Sequence, residues 1–267
     1  MITVAEACVL GAVQGATEFL PVSSSGHLAV VHSLVTPLPG AQTAAVDVVL
    51  HVGTLVAVVA YFRDDLAQLT RGLLGYGSGW QRRWVWLLML GTLPALVVGV
   101  LFKARLEASF HSLGLVGANF LVTGTLLWVA GRRGRAGRDE AGVRPRDALA
   151  IGCFQAAALL PGISRSGSTV SAGLFCGLDD EVAARFSFLL GIPAIAGAQV
   201  SELSTVLSLG REAVLPLVAG TVVAGVVGFV AIAGFMRLIQ ASRLHYFAYY
   251  LWPLGIMVLA TALQRGM

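Results

Sequence analysis

The chain has 267 residues, 57% of them hydrophobic and 12% charged, against about 25% charged in a soluble domain. With a mean hydropathy of +0.81, this excludes an ordinary soluble enzyme and predicts an all-α polytopic membrane protein. The net charge of +4 reflects loop arginines gathered on one side, described below, and gives no reason to expect a nucleic-acid partner.

From the N-terminus, residues 2–35 are apolar but interrupted by Pro21-Val22-Ser23-Ser24-Ser25-Gly26. The first Lys or Arg is Arg63, so no cleaved leader with a basic start is expected. Each half of the region is about 14 to 18 residues long, short of the roughly 20 that cross a bilayer. This predicts a re-entrant hairpin, helix in and helix out, with an irregular turn at depth. Spanning helices are predicted at 42–62, 84–102 and 114–131. Asp47 and His51 share a face of the first and either pair or back a site. The Arg- and Gly-rich stretch 132–146 reads as a linker. A second broken region, 148–178, predicts a second re-entrant hairpin. Three more spans follow at 183–206, 213–236 and 246–264.

Some residues receive bland readings. Cys8, Cys153 and Cys176 lie in apolar runs without metal-ligand spacing and are expected as small core residues. Trp80, Trp84, Trp86, Trp252, Tyr246, Tyr249 and Tyr250 lie near helix ends and are expected as interface anchors. His32, His111 and His245 receive no role.

The two broken regions resemble each other. When Gln14 is aligned with Gln155, Ala16 meets Ala157, Ser23 meets Ser164, Ser25 meets Ser166 and Gly26 meets Gly167. Gly91-Thr92-Leu93-Pro94-Ala95 is echoed by Gly191-Ile192-Pro193-Ala194. One membrane domain made of two repeats is therefore expected, about 1–132 and 147–267. A hairpin returns to its own side, and the three spans after it are an odd number. The second half then starts on the opposite face, which gives an inverted-topology repeat with the hairpins meeting near the midplane. Thirteen of the 18 Lys and Arg residues fall on the linker side, four on the N-terminal side, and Arg165 inside the second hairpin. The positive-inside rule makes the linker side cytoplasmic and both termini external.

The hairpins carry the chemistry. Arg165 is an intramembrane charge, costly enough to imply function, and Glu18 and His27 are expected at comparable depth. The hydroxyls of Ser23, Ser24, Ser25, Ser164, Ser166, Ser168 and Thr169 accompany them. Short Ser/Gly turns entering helices bind oxyanions, Gly26 and Gly167 allow close backbone approach, and Arg165 can grip phosphate bidentately. Two such cradles aimed at one point suit a diphosphate. Glu18 fits either a Mg²⁺ ligand or a general base, and Gln14, four residues earlier, adds an oxygen. His27 is a nucleophile, a general acid, or the base for Ser24, and the residues alone do not rank these. A structural Arg165–Glu18 lock is the bland alternative.

Residues Gln14-Gly15-Ala16-Thr17-Glu18-Phe19-Leu20-Pro21-Val22-Ser23-Ser24-Ser25-Gly26-His27 and Pro161-Gly162-Ile163-Ser164-Arg165-Ser166-Gly167-Ser168-Thr169 together resemble the two motifs of the bacterial undecaprenyl-diphosphate phosphatases of the BacA/UppP type. The resemblance covers essentially the whole chain. It implies an enzyme that removes the terminal phosphate of a C55 lipid diphosphate in the bacterial plasma membrane, recycles a cell-wall lipid carrier and confers bacitracin resistance. Carried over, Glu18, Ser24, His27 and Arg165 are catalytic, and Ser23, Ser164, Ser166 and Thr169 contact phosphate. The cofactor implied is Mg²⁺ or Ca²⁺, and the site faces outward. Gln14 replaces the first acid of the family's E-x-x-x-E pattern, which weakens a two-carboxylate metal site. A transporter or flippase of polyprenyl phosphate is the rival, because inverted repeats with broken helices are also a carrier design. A non-catalytic lipid-binding scaffold is a third reading. Membrane lipids are the other expected partners, and a homodimer is left open.

Overall fold

The computed structural model describes residues 2–34, 40–76, 79–110, 112–132, 137–201 and 210–265. His111, Arg133 and Arg135 lie outside these residues, as does the end of the 183–206 segment. Twelve α-helices are described, and the only β pairing among these residues is an isolated bridge between Arg138 and Leu178.

The first broken region forms α1 (Val4–Phe19) and α2 (Ser24–Leu34). At 16 and 11 residues they extend about 24 and 17 Å, below the roughly 30 Å of hydrocarbon in a bilayer. Thr3 opens α1 with a capping box to Glu6, and Pro21, which cannot continue a helix, follows its end. The second broken region forms α8 (Pro145–Ala157) and α9 (Arg165–Phe175), joined by residues 158–164. Between them lie α3 (Gly40–Tyr61), α4 (Arg63–Leu73), α5 (Gly79–Leu101), α6 (Lys103–Ser109) and α7 (Leu113–Ala130). The chain then forms α10 (Asp180–Ser201), α11 (Val214–Gln240) and α12 (Ala248–Arg265).

Six helical stretches are long and apolar enough to cross a membrane: Thr43–Tyr61, Gly79–Leu101, Leu113–Ala130, Asp180–Gln199, Val214–Gln240 and Leu244–Arg265. This is a multi-pass, all-helical membrane protein. The spans match the expected ones within a few residues at most ends. Asp180 and Glu181 extend the fourth at its start because acidic residues suit a helix N-terminus.

Lipid offers helices no hydrophobic reward for meeting, so close packing has to hold them. Here α1 packs on α11, α8 on α5, α3 on both α10 and α11, α10 on α5, and α7 on α12. At the α1–α11 seam a Cβ at Gly11 would overlap the Gly220 backbone, and at the α5–α8 seam one at Gly152 would overlap Gly91. The core holds Phe19, Phe188 and Phe235 as a chain of edge-on rings, with centroids 5.8 and 5.5 Å apart. Phe19 is fully buried, so the end of α1, and Glu18 with it, is fixed to the core.

One end of the bundle gathers the basic loops. Arg185 binds Asp65 (3.4 Å), Glu140 (2.9 Å) and Glu181 (3.0 Å). Trp84 Nε1 donates to the Glu140 carbonyl at 2.8 Å. Trp84 is thus buried rather than an interface anchor. Arg138 donates to Asp147 at 2.7 Å and to the Cys176 carbonyl at 2.6 Å, tying the end of the linker to both helices of the second hairpin. Burial alone would raise the Asp147 carboxyl, but Arg138 and the Arg144 amide hold it below its usual range.

Two sequence expectations are corrected by this arrangement. Cys153 is exposed, and Cys8 and Cys176 are partly so; none is a fully buried core residue. Gly91 lies in the second of the six apolar stretches and Gly191 in the fourth, so their echo does not pair the first three stretches with the last three in order.

Candidate active site

The two hairpin tips meet. Asn119 and Thr123 of α7 hold the second turn, with Asn119 Nδ2 donating to the Pro161 carbonyl at 2.7 Å and Thr123 Oγ1 to the Gly162 carbonyl at 3.0 Å. Gly162 has φ +90°, a conformation that favours glycine, and this aims its carbonyl at α7. Ser164 caps α9 by accepting from Gly167 N at 3.1 Å, and Ser23 likewise accepts from Gly26 N at 3.3 Å. Ser166 Oγ donates to the Leu20 carbonyl at 3.2 Å, stitching one hairpin to the other.

Across this contact, Arg165 Nη2 donates to Glu18 Oε1 at 2.6 Å. Ser24 Oγ donates to Glu18 Oε2 at 2.6 Å, and Gln14 Nε2 donates to the same oxygen at 3.2 Å. The Glu18 side chain is 7% exposed and that of Arg165 15%. A charge pair this buried is strong only when its remaining atoms are also satisfied. Glu18 meets that condition and Arg165 does not: Nη1 is buried with no partner among the described residues. Gly191 of α10 makes room for the guanidinium, since a Cβ there would overlap Nη1. Gln14 Oε1 is also buried without a partner.

His27 Nδ1 lies 2.8 Å from the Ser23 carbonyl, and Nε2 lies 2.7 Å from the Tyr250 hydroxyl. Neither nitrogen is bonded to Ser24, so the arrangement gives Ser24 a carboxylate, not an imidazole, as its proton acceptor. Ser23 carries φ +71°, unusual for a residue with a side chain, and its carbonyl accepts from both the amide and the ring of His27.

Several expected phosphate contacts have other occupations. Ser164, Ser166 and Thr169 are almost fully buried and bonded to protein, Thr169 to Ser187 of α10. Ser25 is partly exposed and shares a hydrogen bond with Ser23 at 3.3 Å. A Cβ at Gly26 would strike the Phe120 ring and Gly162, and one at Gly167 would crowd Pro21 and Ser164. These glycines let the hairpins and α7 pack together; the space beside them is filled by protein.

Four further residues join the site. His51 Nε2 is 3.5 Å from Glu18 Oε2, while its Nδ1 donates to the Asp47 carbonyl at 2.7 Å. The Asp47 carboxylate instead pairs with His32 at 2.9 Å, so His32, given no role in the sequence, holds Asp47. Tyr250, expected as an interface anchor, reaches His27 from α12. The i,i+4 spacing of Asp47 and His51 was the available signal for His51, and nothing local marks Tyr250 among the neighbouring aromatics.

Among the described residues no group of three or more His, Cys, Asp or Glu side chains is placed to hold a metal ion. The donors available are one carboxylate, Glu18, and the free amide oxygen of Gln14. That set fits a cation that brings most of its oxygen ligands with a phosphorylated substrate, as Mg²⁺ does, and is too small for a protein cage of six to eight oxygens around Ca²⁺.

The model of the family described as "Bacitracin resistance protein BacA" matches residues 7–257. The chain belongs to the BacA family. It is 40% identical to a protein named "Undecaprenyl-diphosphatase" from Methanobrevibacter smithii, with 95% of each chain covered. A relative of the same name from Alkaliphilus metalliredigens is 39% identical over 98% of this chain and 99% of its own. One from Desulfosudis oleivorans is 43% identical over 92% and 94%. The matched region includes both hairpin tips and Tyr250.

Proposed function

We propose that the chain is an undecaprenyl-diphosphatase, which hydrolyses the C55 lipid diphosphate to the lipid monophosphate and inorganic phosphate. The relatives' names supply the substrate. The observation that carries the chemistry is the Ser24–Glu18–Arg165 chain with one arginine nitrogen left unpartnered. A structural lock would have no use for a free buried donor beside a carboxylate-bonded serine, whereas a phosphoryl group supplies an acceptor for it.

In the proposed first step, Ser24 Oγ attacks the terminal phosphorus and its proton passes to Glu18 Oε2. The bond to the bridging oxygen breaks, and lipid monophosphate leaves with that electron pair. In the second step water attacks the phosphoserine and gives its proton to His27 Nε2, which passes it to the departing inorganic phosphate. Ser24 Oγ leaves and recovers its proton from Glu18. Arg165 stays paired with Glu18 throughout and uses Nη1 for the phosphoryl oxygens, where charge redistributes in the transition state. Gln14 Oε1, and Glu18 while it is unprotonated, would hold Mg²⁺ accompanying the diphosphate; the ion would offset the charge of the phosphate oxygens.

The site is proposed to open on the outer face, with the termini external and the basic loops cytoplasmic. The arginine bias supports this, as does the gathering of those loops at one end of the bundle. An inverted repeat, 1–132 and 147–267, with two re-entrant hairpins is supported by the short half-helices. It is also supported by paired packing: exchanging the halves carries α1 on α11 into α8 on α5, and α3 on α11 into α10 on α5.

Purified protein in detergent, where no gradient exists, is expected to release phosphate from undecaprenyl diphosphate and to lose that activity on EDTA treatment. A carrier would release none, and full activity in EDTA would remove the metal from the account. Gly191→Ala tests the arginine placement. The added methyl group displaces the guanidinium, and misplacement by about 1 Å costs on the order of 10²-fold in turnover. Wild-type turnover in that variant, with the fold intact by thermal melting, would detach Arg165 from catalysis.

A further inference from the structure

We infer that Tyr250 is a positioning residue for the second half of the reaction, fixing His27 with Nε2 unprotonated. The inference rests on the reading of His27 as the base that activates water.

Nδ1 fixes the tautomer of the ring. The Ser23 carbonyl can only accept a hydrogen bond, and it lies 2.8 Å from Nδ1, so Nδ1 carries the proton of a neutral ring. Nε2 then has a lone pair and no hydrogen. The hydroxyl 2.7 Å away therefore donates, and Tyr250 O–H points at the atom the mechanism needs as a base. The left-handed Ser23 backbone is part of the same device, because it turns the carbonyl toward the ring.

Packing fixes the rest. The Phe120 ring meets the imidazole edge-on at 5.2 Å, and the Tyr250 ring lies nearly parallel to it, at an 11° angle and 5.8 Å between centroids. Phe120 belongs to α7 and Tyr250 to α12, two helices that pack on each other. The imidazole is thus fixed by both halves of the chain. The Tyr250 hydroxyl occupies the Nε2 lone pair, which an attacking water would have to reach. The hydroxyl marks that water's place and yields it, by a small rotation, once the phosphoserine has formed.

The chemistry separates this role from membrane anchoring. An anchor needs an amphipathic ring near the headgroups, and phenylalanine would keep most of the packing. A positioning hydroxyl is lost entirely in Tyr250→Phe. The expected result is a roughly 10-fold fall in kcat with KM for undecaprenyl diphosphate within about twofold of wild type, because substrate binding involves the other hairpin groups. In protein labelled with ¹⁵N-histidine, the Nε2 resonance of His27, assigned with His27→Gln, should shift in Tyr250→Phe while Nδ1 stays protonated.

An unmoved Nε2 resonance overturns the inference, since no hydrogen bond then existed. A shifted resonance with wild-type kcat also overturns it, since the bond then does nothing for turnover. Failure of the underlying reading looks different: His27→Gln itself would turn over at the wild-type rate, whatever Tyr250→Phe does.

Discussion

Ser24→Ala is expected to lower phosphate release by at least about 10³-fold, the largest effect in the site, because the nucleophile is removed and nothing nearby replaces it. The alternative nucleophile would be His27, whose ring nitrogens are taken by Ser23 and Tyr250. Stability should change little. Ser24 is nearly buried, and its hydroxyl is one of several groups bonded to Glu18. Losing one neutral donor to a carboxylate that keeps Arg165 and Gln14 costs about 1–3 kcal/mol at most. The check is steady-state phosphate release and thermal melting on one preparation. Activity within about tenfold of wild type would shift the nucleophile to water or to His27 and undo the two-step scheme.

Arg165→Lys should lower kcat by roughly 30- to 1000-fold, equivalent to about 2–4 kcal/mol of lost transition-state stabilisation. Lysine retains the charge and can keep one contact to Glu18, so the buried carboxylate is not left unpaired. It loses the planar fork in which Nη2 holds Glu18 and the unpartnered Nη1 is left for the proposed phosphoryl contact. Gly191 is shaped to the flat guanidinium, and a narrower ammonium leaves that space unfilled. The fall should therefore appear in kcat, with a melting temperature near wild type. If melting drops sharply while turnover of the folded fraction holds, Arg165 is a lock between hairpins.

The sequence revealed the plan of this molecule better than its details, and the reason is physical. Lipid imposes long apolar runs on every spanning helix, so the six spans could be read from composition. The same constraint made the interruptions at Pro21–Gly26 and Pro161–Gly167 conspicuous, because polar turns belong at depth only for a purpose. An arginine in the second and a glutamate just before the first were expected at comparable depth, and they meet, 147 residues apart. What stayed hidden was each residue's immediate neighbourhood. Gly26 and Gly167 looked like room for a ligand, but Phe120, Gly162 and Pro21 fill that room. Ser164, Ser166 and Thr169 looked like phosphate donors, but a buried turn must first satisfy itself, and their hydroxyls serve caps and crossings. Tyr250 was indistinguishable from Tyr246 and Tyr249, because a contact to His27 across 223 residues leaves no mark in local pattern.

The division of labour at Glu18 also became visible only in three dimensions. One oxygen accepts from Arg165 and the other from Ser24, so a single carboxylate joins the second hairpin's cation to the first hairpin's serine. His51 approaches the second oxygen from α3 and Gln14 from α1. A glutamine at position 14 thus donates to Glu18 where a second carboxylate would repel it.

The most direct test of the account is an acid quench of the purified protein during its first turnover of undecaprenyl diphosphate labelled with ³²P in the terminal phosphate. Label is expected on the protein at Ser24, absent in Ser24→Ala and increased in His27→Gln, where the second step is slowed. Release of labelled phosphate at the wild-type rate with no label on the protein, even in His27→Gln, would contradict it.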